Sequence, residues 1–194
     1  CCGAVLLALV FVVTGIYAWN ARYESKAADL YAQAFNSYQS LEYAAENRMN
    51  IEDAIVKYEL LVDSYPRSSS ALLAHYNLGN LYYALGSYER SIEAFKHYLK
   101  KSFRETELRP FAYYGLGYSH ESAGEFEKAL ESFESAAESS AGMHFKIINY
   151  SNMGRVYEKM NDVEGAMQYY EKVRGAEIDP LLAGLAARRI ATLK

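Results

Sequence analysis

Four histidines, His75, His97, His120 and His144, are the side chains best suited to acid–base or metal chemistry at neutral pH, and more than twenty positions separate each from the next. A metal site built on helices needs ligands three or four positions apart, as in H-x-x-x-H or E-x-x-H, and neither spacing occurs around them. Both cysteines, Cys1 and Cys2, stand at the start of the sequence, so the rest of it has no thiol for a disulfide, a zinc site or a nucleophile. There is no nucleophile elbow, no P-loop and no dinucleotide-binding glycine fingerprint. The acidic stretches Glu125-Phe-Glu127 and Glu131 to Glu138 alternate with apolar residues at helical spacing, which makes them solvated helix faces. The expectation is a protein with no catalytic residue, no metal and no cofactor, and not an enzyme.

Composition points to binding by a helical body. Hydrophobic residues make up 51% and charged residues 23% of the 194, the range of a globular chain, while 3 Pro and 12 Gly favour long helices over a loop-rich sandwich. A formal net charge of -4 offers no basic footprint for a phosphate backbone, so nucleic acid is not an expected partner.

From Cys1 to Trp19 no residue is charged, although the chain carries 44 charged side chains (20 basic plus 24 acidic), and Arg22 is the first. Nineteen helical residues rise roughly 28 Å, close to the roughly 30 Å of a bilayer's hydrocarbon core. Residues 1–21 are therefore expected to form a transmembrane helix lacking a few upstream residues, with the lipid bilayer contacting residues 1–19. Tyr17, Trp19 and Tyr23 would sit at the membrane interface, where amphipathic rings collect. A secretory signal peptide is the weaker reading, because the apolar run is long and no Ala-x-Ala follows it. A lipidated Cys1, or acylation of Cys1 or Cys2 beside a true membrane helix, is a further alternative. The flank Arg22, Glu24, Lys26 and Asp29 sums to zero charge, and the lack of basic excess leans toward a body on the outer side, the periplasm of a bacterium.

No Gly or Pro interrupts the chain between Tyr17 and Asn47, so one long helix is expected to continue from the membrane to about residue 47. Ala27, Tyr31, Ala34, Tyr38, Leu41 and Ala45 step by four, three, four, three and four and draw one stripe. The stripe is expected to pack on the first repeat described below. The less favoured reading is a homodimer through the 27–45 stripe, since Ala and Tyr make a weak zipper.

Self-similarity then fixes the architecture. His75-x-x-Leu78-Gly79-x-x-Tyr82, Tyr113-x-x-Leu116-Gly117-x-x-His120 and Tyr150-x-x-Met153-Gly154-x-x-Tyr157 share one spacing. Each is followed at a constant offset by Ser91-x-x-x-Phe95, Ala129-x-x-x-Phe133 or Ala166-x-x-x-Tyr170, and Ala54-x-x-x-Tyr58 before Pro66 is a degenerate earlier copy with Glu42 in place of the glycine. The steps from Tyr58 to Phe95, Phe133 and Tyr170 are 37, 38 and 37 residues, with extra residues falling at Ser102 to Arg109 and Ser139 to His144. Glycines and alanines allow helices to cross closely, the four aromatics are expected to fill the space between one repeat and the next, and each unit completes its core by stacking on a neighbour. Gly86 and Gly124 read as left-handed stops, Asn161 with Glu164 as an N-cap and its capping-box partner, and Asp179-Pro180 as the start of a last helix. That helix has an apolar face of Leu182, Leu185, Ala186, Ile190 and Leu193, with Arg188, Arg189 and Lys194 outside.

These motifs resemble the tetratricopeptide repeat (TPR), whose period is usually 34 residues. The resemblance implies an all-α fold in which an N-terminal transmembrane helix continues into a right-handed TPR helical array of about four repeats plus a C-terminal capping helix. The implied domains are 1–21 and 22–194, with repeats at about 35–68, 72–105, 110–143 and 147–180 and a cap at 181–194. It also implies a groove lined by first helices. Leu73, Tyr76, Asn80 and Tyr83, then Phe111, Tyr114, Tyr118 and Glu121, then Ser151, Asn152, Arg155 and Glu158 would face it. Of 19 Tyr in the chain, Tyr76, Tyr83, Tyr114 and Tyr118 are not needed at core positions. With Asn80 and Asn152 supplying amides, such rings suit a peptide or an exposed hydrophobic segment; the competing reading is that the rings cover one another. The carboxylate clamp of chaperone-binding repeats is half matched, by Asn80, Asn152 and Arg155, with Tyr76 and Tyr114 where lysines would stand.

The order of elements is similar to the YfgM type of inner-membrane repeat protein. That likeness implies a single-pass protein of the bacterial inner membrane with a periplasmic repeat domain, acting as a protein-interaction scaffold or chaperone-like factor whose partners are the Sec translocon and secretory clients. The alternative is a structural subunit of a multiprotein envelope assembly.

Overall fold

The computed structural model describes residues 2–39, 47–102, 107–139, 142–176 and 179–193, with the side chains of residues 2–6, 8, 38, 39 and 47 not described. Among them are nine helices: α1 Cys2–Gln39, α2 Asn47–Ser64, α3 Ser69–Ala84, α4 Tyr88–Lys101, α5 Arg109–Ser122, α6 Phe126–Glu138, α7 Met143–Lys159, α8 Val163–Arg174 and α9 Pro180–Leu193. Contacts divide the chain into two compact units, residues 1–81 and 82–194, with the boundary inside α3.

In the first unit the polar part of α1 lies on α2. Ala27 and Ala34 are fully buried, and Tyr31 meets the buried Tyr58 edge-on at 5.5 Å. Asn77 of α3 donates to both tyrosine hydroxyls, Tyr31 at 2.9 Å and Tyr58 at 3.0 Å, so the two rings share one donor. Glu24 accepts from the backbone N–H and the hydroxyl of Ser69, and Ser68 caps α3 by accepting from Ala71 N at 3.0 Å. The stripe thus packs on the first helix pair as far as it is described; the Tyr38 side chain, Leu41 and Ala45 lie outside the described residues, as does Glu42. Asn47, where the long helix was expected to end, opens α2 instead.

The other half of α1 behaves differently. Every large apolar side chain described from Leu7 to Trp19 is more than half exposed. The expected transmembrane helix over residues 1–21 is not found: among the described residues no helix is long and apolar enough to cross a membrane. Asn20, Arg22 and Glu24 end the apolar run.

The second unit is a succession of hairpins, α4 on α5, α5 on α6, α6 on α7, α7 on α8 and α8 on α9. Turns of one geometry join α3 to α4, α5 to α6 and α7 to α8. Gly86 and Gly124 have φ of 76° and 78°, and at each the following N–H returns to the helix, Ser87 N to Tyr82 O and Glu125 N to His120 O, both at 2.9 Å. Asn161 occupies the same place with φ 60°, and Asp162 N reaches Tyr157 O at 2.9 Å. Asn161 is therefore a left-handed helix stop and not the N-cap expected from its sequence. The cap is Asp162, whose carboxylate accepts from Gly165 N. Asn tolerates the left-handed region well enough to stand in for glycine. At α9 the expected cap forms, with Asp179 accepting from the N–H groups of Leu181 and Leu182.

Ala54, Ala129 and Ala166 are fully buried. A Cβ on Gly117 would stand 2.7 Å from the Phe133 ring, and one on Gly154 2.7 Å from the Tyr170 ring. These aromatics press onto the glycine of their own helix pair, a role added to the expected filling between repeats. Phe133 also clusters with Met153 and Val156 of α7, and Phe95 of α4 presses on Gly115 of α5. At the end of the chain, Ala186 and Ile190 of α9 bury against Ile147, Ala166, Tyr170 and Val173. Leu185, expected on that face, is 47% exposed.

Gly117→Ala should therefore lower stability by about 1–3 kcal/mol, because the Phe133 ring is fully buried and cannot withdraw. Gly184→Ala, where nothing lies within 4 Å, should stabilise by up to about 1 kcal/mol. Urea denaturation followed by helical circular dichroism distinguishes the two signs.

Candidate functional site

The described histidines and carboxylates do not gather into a group that could hold a metal. His120 is buried, with its Nδ1 2.5 Å from a Glu125 oxygen; burial pushes the imidazole below its usual range, against the opposing pull of Glu125. It helps to hold the α5–α6 turn.

What the fold does assemble is a ladder of rings in the second unit. Tyr83, at the end of α3, meets Tyr118 of α5 edge-on at 6.2 Å, and Tyr118 meets Tyr114 one turn earlier at 4.8 Å. Tyr114 meets Phe145 of α7 at 5.3 Å, and Phe145 meets Phe111 at 5.1 Å. Phe111, Tyr114 and Tyr118 share a face of α5 because they are spaced three and four apart. Phe133 underlies Tyr118 and Tyr114 at 5.2 and 6.2 Å. The rings do cover one another in part: Tyr114 and Tyr118 are half-buried, while Phe111 and Tyr83 remain 47% and 36% exposed. The ladder thus has packed middle rungs and open ends.

A polar chain runs beside the rings. Tyr118 donates to Asn152 Oδ1 at 3.0 Å, which leaves its own oxygen to accept from Tyr114 at 3.2 Å. Burial, reinforced by Tyr118, pushes the Tyr114 phenol up to about 12. Arg155 lies 5.1 Å over the Tyr118 ring, donates to Asn152 Oδ1 at 3.1 Å, and holds Glu121 through Nε at 2.9 Å and Nη2 at 2.6 Å. Lys159 adds a third contact to Glu121 at 2.8 Å. Burial alone would raise the Glu121 pKa, but these cations hold it below the usual carboxylate range; the same pairing raises that of Arg155 against its own burial.

Several site residues expected from sequence are therefore occupied internally. Glu121 is 5% exposed and serves as the counter-ion of Arg155 and Lys159, not as a groove contact. Asn152 is 4% exposed and positions Tyr118 and Arg155. In the first unit, Asn80 donates to Tyr76 O of its own helix, Tyr76 is half-buried and Leu73 is 37% exposed. At the N-terminal end Tyr17 and Trp19 are exposed, but Tyr23 packs on Tyr65 at 5.0 Å and accepts from Arg67 N at 3.2 Å, so it belongs to the folded body as much as to an interface. Phe145 and Lys159 escaped sequence reasoning. Phe145 is seven residues before Asn152 on the same helix, a spacing that marks one face; nothing local marks Lys159 as a partner of Glu121.

The Glu121 pair makes stability depend on pH in a defined direction. A carboxyl whose folded pKa is depressed contributes stability that is present above its unfolded value, about 4.5, and is lost as pH falls through the folded one. Glu121→Gln should cost about 1–3 kcal/mol at neutral pH by leaving Arg155 and Lys159 without their carboxylate, and should flatten the loss of stability below about pH 4.5. Urea midpoints of both proteins between pH 3 and 7 check this.

Comparison with known proteins agrees with this geometry. A sequence profile described as Tetratricopeptide repeat matches residues 43–104 and 76–144, and a second of the same description matches 149–173. No curated protein matches the chain. Among solved structures, the TPR-like repeats of a protein described as a kinesin light chain from Podosopora anserina are similar at 16% identity and a TM-score of 0.64, covering 88% of this chain and 86% of that one. BtubC from P. vanneervenii is similar at 16% identity and 0.60, over 89% and 82%; MamA at 20% identity and 0.56, over 74% and 86%. At such identities the likeness is one of fold alone. The profile matches cover more than half of the sequence, and the chain belongs to the tetratricopeptide-repeat family.

Proposed function

We propose that this chain is a non-catalytic scaffold that holds polypeptide segments on the aromatic ladder of its second unit. Repeats of this family form protein–protein interaction surfaces. The observation that carries the finer reading is the ladder itself, from Tyr83 through Tyr118, Tyr114 and Phe145 to Phe111. Rings already packed against one another lose little side-chain entropy on binding, and their exposed edges offer apolar surface to an extended or unfolded chain. The network from Glu121 to Asn152 sets the rings in place.

The exposed apolar length of α1 supports a second element of the proposal, attachment to a lipid surface. A helix segment apolar on all sides and covered by none of the described residues is stabilised by entering a bilayer. Together with the uncharged balance of the flanking residues, this favours a protein of the bacterial inner membrane with its repeats on the periplasmic side, serving secretory chains near the Sec translocon. The alternative is a fixed subunit of an envelope assembly, which would show one stoichiometric complex and no affinity for unfolded chains.

Tyr83→Ala with Phe111→Ala should keep the helical spectrum and weaken binding of an unfolded probe, reduced and carboxymethylated lactalbumin, at least about tenfold. Unchanged affinity rejects the ladder as the binding face. In flotation with phosphatidylethanolamine–phosphatidylglycerol vesicles, Phe11→Asp with Val13→Asp should move the protein from the lipid fraction to the bottom; flotation undiminished by both charges rejects attachment through α1. A thiol tag beside Lys194 that reacts only after lysis would place the repeats in the cytoplasm.

A further inference from the structure

The first unit brings the α2–α3 turn back beside the apolar half of α1. Partners on α1 and α2 run in opposite order: Lys57 Nζ donates to Ser37 Oγ at 2.6 Å, the Tyr58 ring meets Tyr31 at 5.5 Å, and the Tyr65 ring meets Tyr23 at 5.0 Å. The two helices are therefore antiparallel, and α2 ends at the level where α1 turns apolar. The turn is tied down there. Tyr23 accepts from Arg67 N at 3.2 Å, and Glu24 accepts from Ser69 N at 3.1 Å and from its hydroxyl at 2.8 Å. Side chains on a helix lean toward its N-terminus, so Tyr23 carries its hydroxyl, and Arg67 with it, toward the apolar half. Trp19 stacks on Tyr23 at 5.5 Å, which makes Trp19, Tyr23 and Tyr65 one run of rings from the apolar half to the turn.

Exposure and charge narrow what this end of the unit faces. Arg22, Lys26, Pro66 and Arg67 are exposed, and none of the three cations is in an ion pair among the described residues. Glu24 is committed to Ser69 and the exposed Asp63 stands in the last turn of α2, so three cations face two carboxylates. A phospholipid surface matches both features, with anionic phosphate for the cations and a headgroup layer in which amphipathic rings settle. From Trp19 to Tyr23 is about 6 Å of helix, close to the roughly 5–7 Å of headgroup layer on each side of a bilayer. With Trp19 at the edge of the hydrocarbon, Arg67 stands at the depth of the phosphates.

We infer that the α2–α3 turn is a second lipid contact of this chain: Arg67 binds headgroup phosphate, Arg22 and Lys26 flank it, and Pro66 lies in the headgroup layer with the rings of Trp19, Tyr23 and Tyr65. The inference rests on the reading that α1 enters a lipid surface, and it adds a footing on the folded body. Held at both α1 and the turn, the α1–α2 hairpin stands away from the bilayer, with Arg48 and Met49 at its far end.

The test uses the full chain on phosphatidylethanolamine–phosphatidylglycerol vesicles that also contain phosphatidylcholine with a nitroxide on its headgroup, a short-range quencher of tryptophan. Trp19 is the single tryptophan of the chain, so Trp19→Tyr gives a silent background for Pro66→Trp, Ser64→Trp or Met49→Trp. Ser64→Trp reports the same depth if the turn does not accept the change at 66. Tryptophan at 66 or 64 should lose as much emission as Trp19 does in the unsubstituted chain, and at 49 it should lose none. Arg67→Gln should lower the vesicle partition coefficient about fivefold, while Arg48→Gln, the same change of charge at the far end of α2, should leave it unaltered. Quenching of Trp19 without quenching at 66 and 64 overturns the inference and leaves attachment through α1 in place. Equal quenching at 49 and 66, or equal effects of Arg67→Gln and Arg48→Gln, overturns it as well. A chain that does not float with the vesicles overturns the attachment reading and this inference with it.

Discussion

A ring seated on a glycine is the contact on which the second unit depends. Gly117 under Phe133 and Gly154 under Tyr170 set how closely α5 approaches α6 and α7 approaches α8. A methyl group in either place would meet buried carbon well inside van der Waals distance, so the helix pairs could not keep their spacing. Once that spacing is set, Phe133 is also in reach of Met153 and Val156 of the next helix, and one side chain serves both its own pair and its neighbour. This is how a repeat with too little surface to form a core alone completes one by stacking. The three left-handed turns at Gly86, Gly124 and Asn161 let the pairs fold back in the same manner each time.

The same packing fixes the candidate binding face. Phe133 lies beneath Tyr114 and Tyr118, so the ladder stands on the ring that closes the glycine contact. Glu121 and Arg155 then lock the side of the ladder, in a setting where a half-buried guanidinium needs a carboxylate and a buried carboxylate needs cations. Residues that read from the sequence as ligand contacts act instead as supports for those that remain open. The open rungs are Tyr83 and Phe111, and the rigidity behind them is what makes exposed aromatic surface useful for binding.

Helix α1 carries two patterns along one regular element. Its polar half has a periodic stripe and is buried by α2 through Ala27, Tyr31 and Ala34. Its apolar half has no stripe and is covered by none of the described residues. The difference is one of pattern and not of helix propensity: the one-sided apolar face packs on a neighbouring helix, whereas the described apolar side chains from Leu7 to Trp19 stay exposed.

The sequence by itself determined the all-helical class, the hairpin pairs and the recurring aromatic, because glycine, alanine and ring positions repeat at fixed offsets and local spacing is enough to read them. It also marked the left-handed turns at Gly86 and Gly124 and the cap at Asp179. Asn161 was legible only as a residue that favours helix ends; whether it stops one helix or caps the next depends on its φ, which the neighbouring helices set. The ladder and the Glu121–Arg155–Lys159 pairing were decided by tertiary structure. Their members are 31 to 34 residues apart in pairs such as Tyr114–Phe145 and Glu121–Arg155, on helices whose relative rotation follows from the packing of rings on glycines. No local spacing reports that rotation, so it took the fold to show which polar groups face each other and which rings stay open.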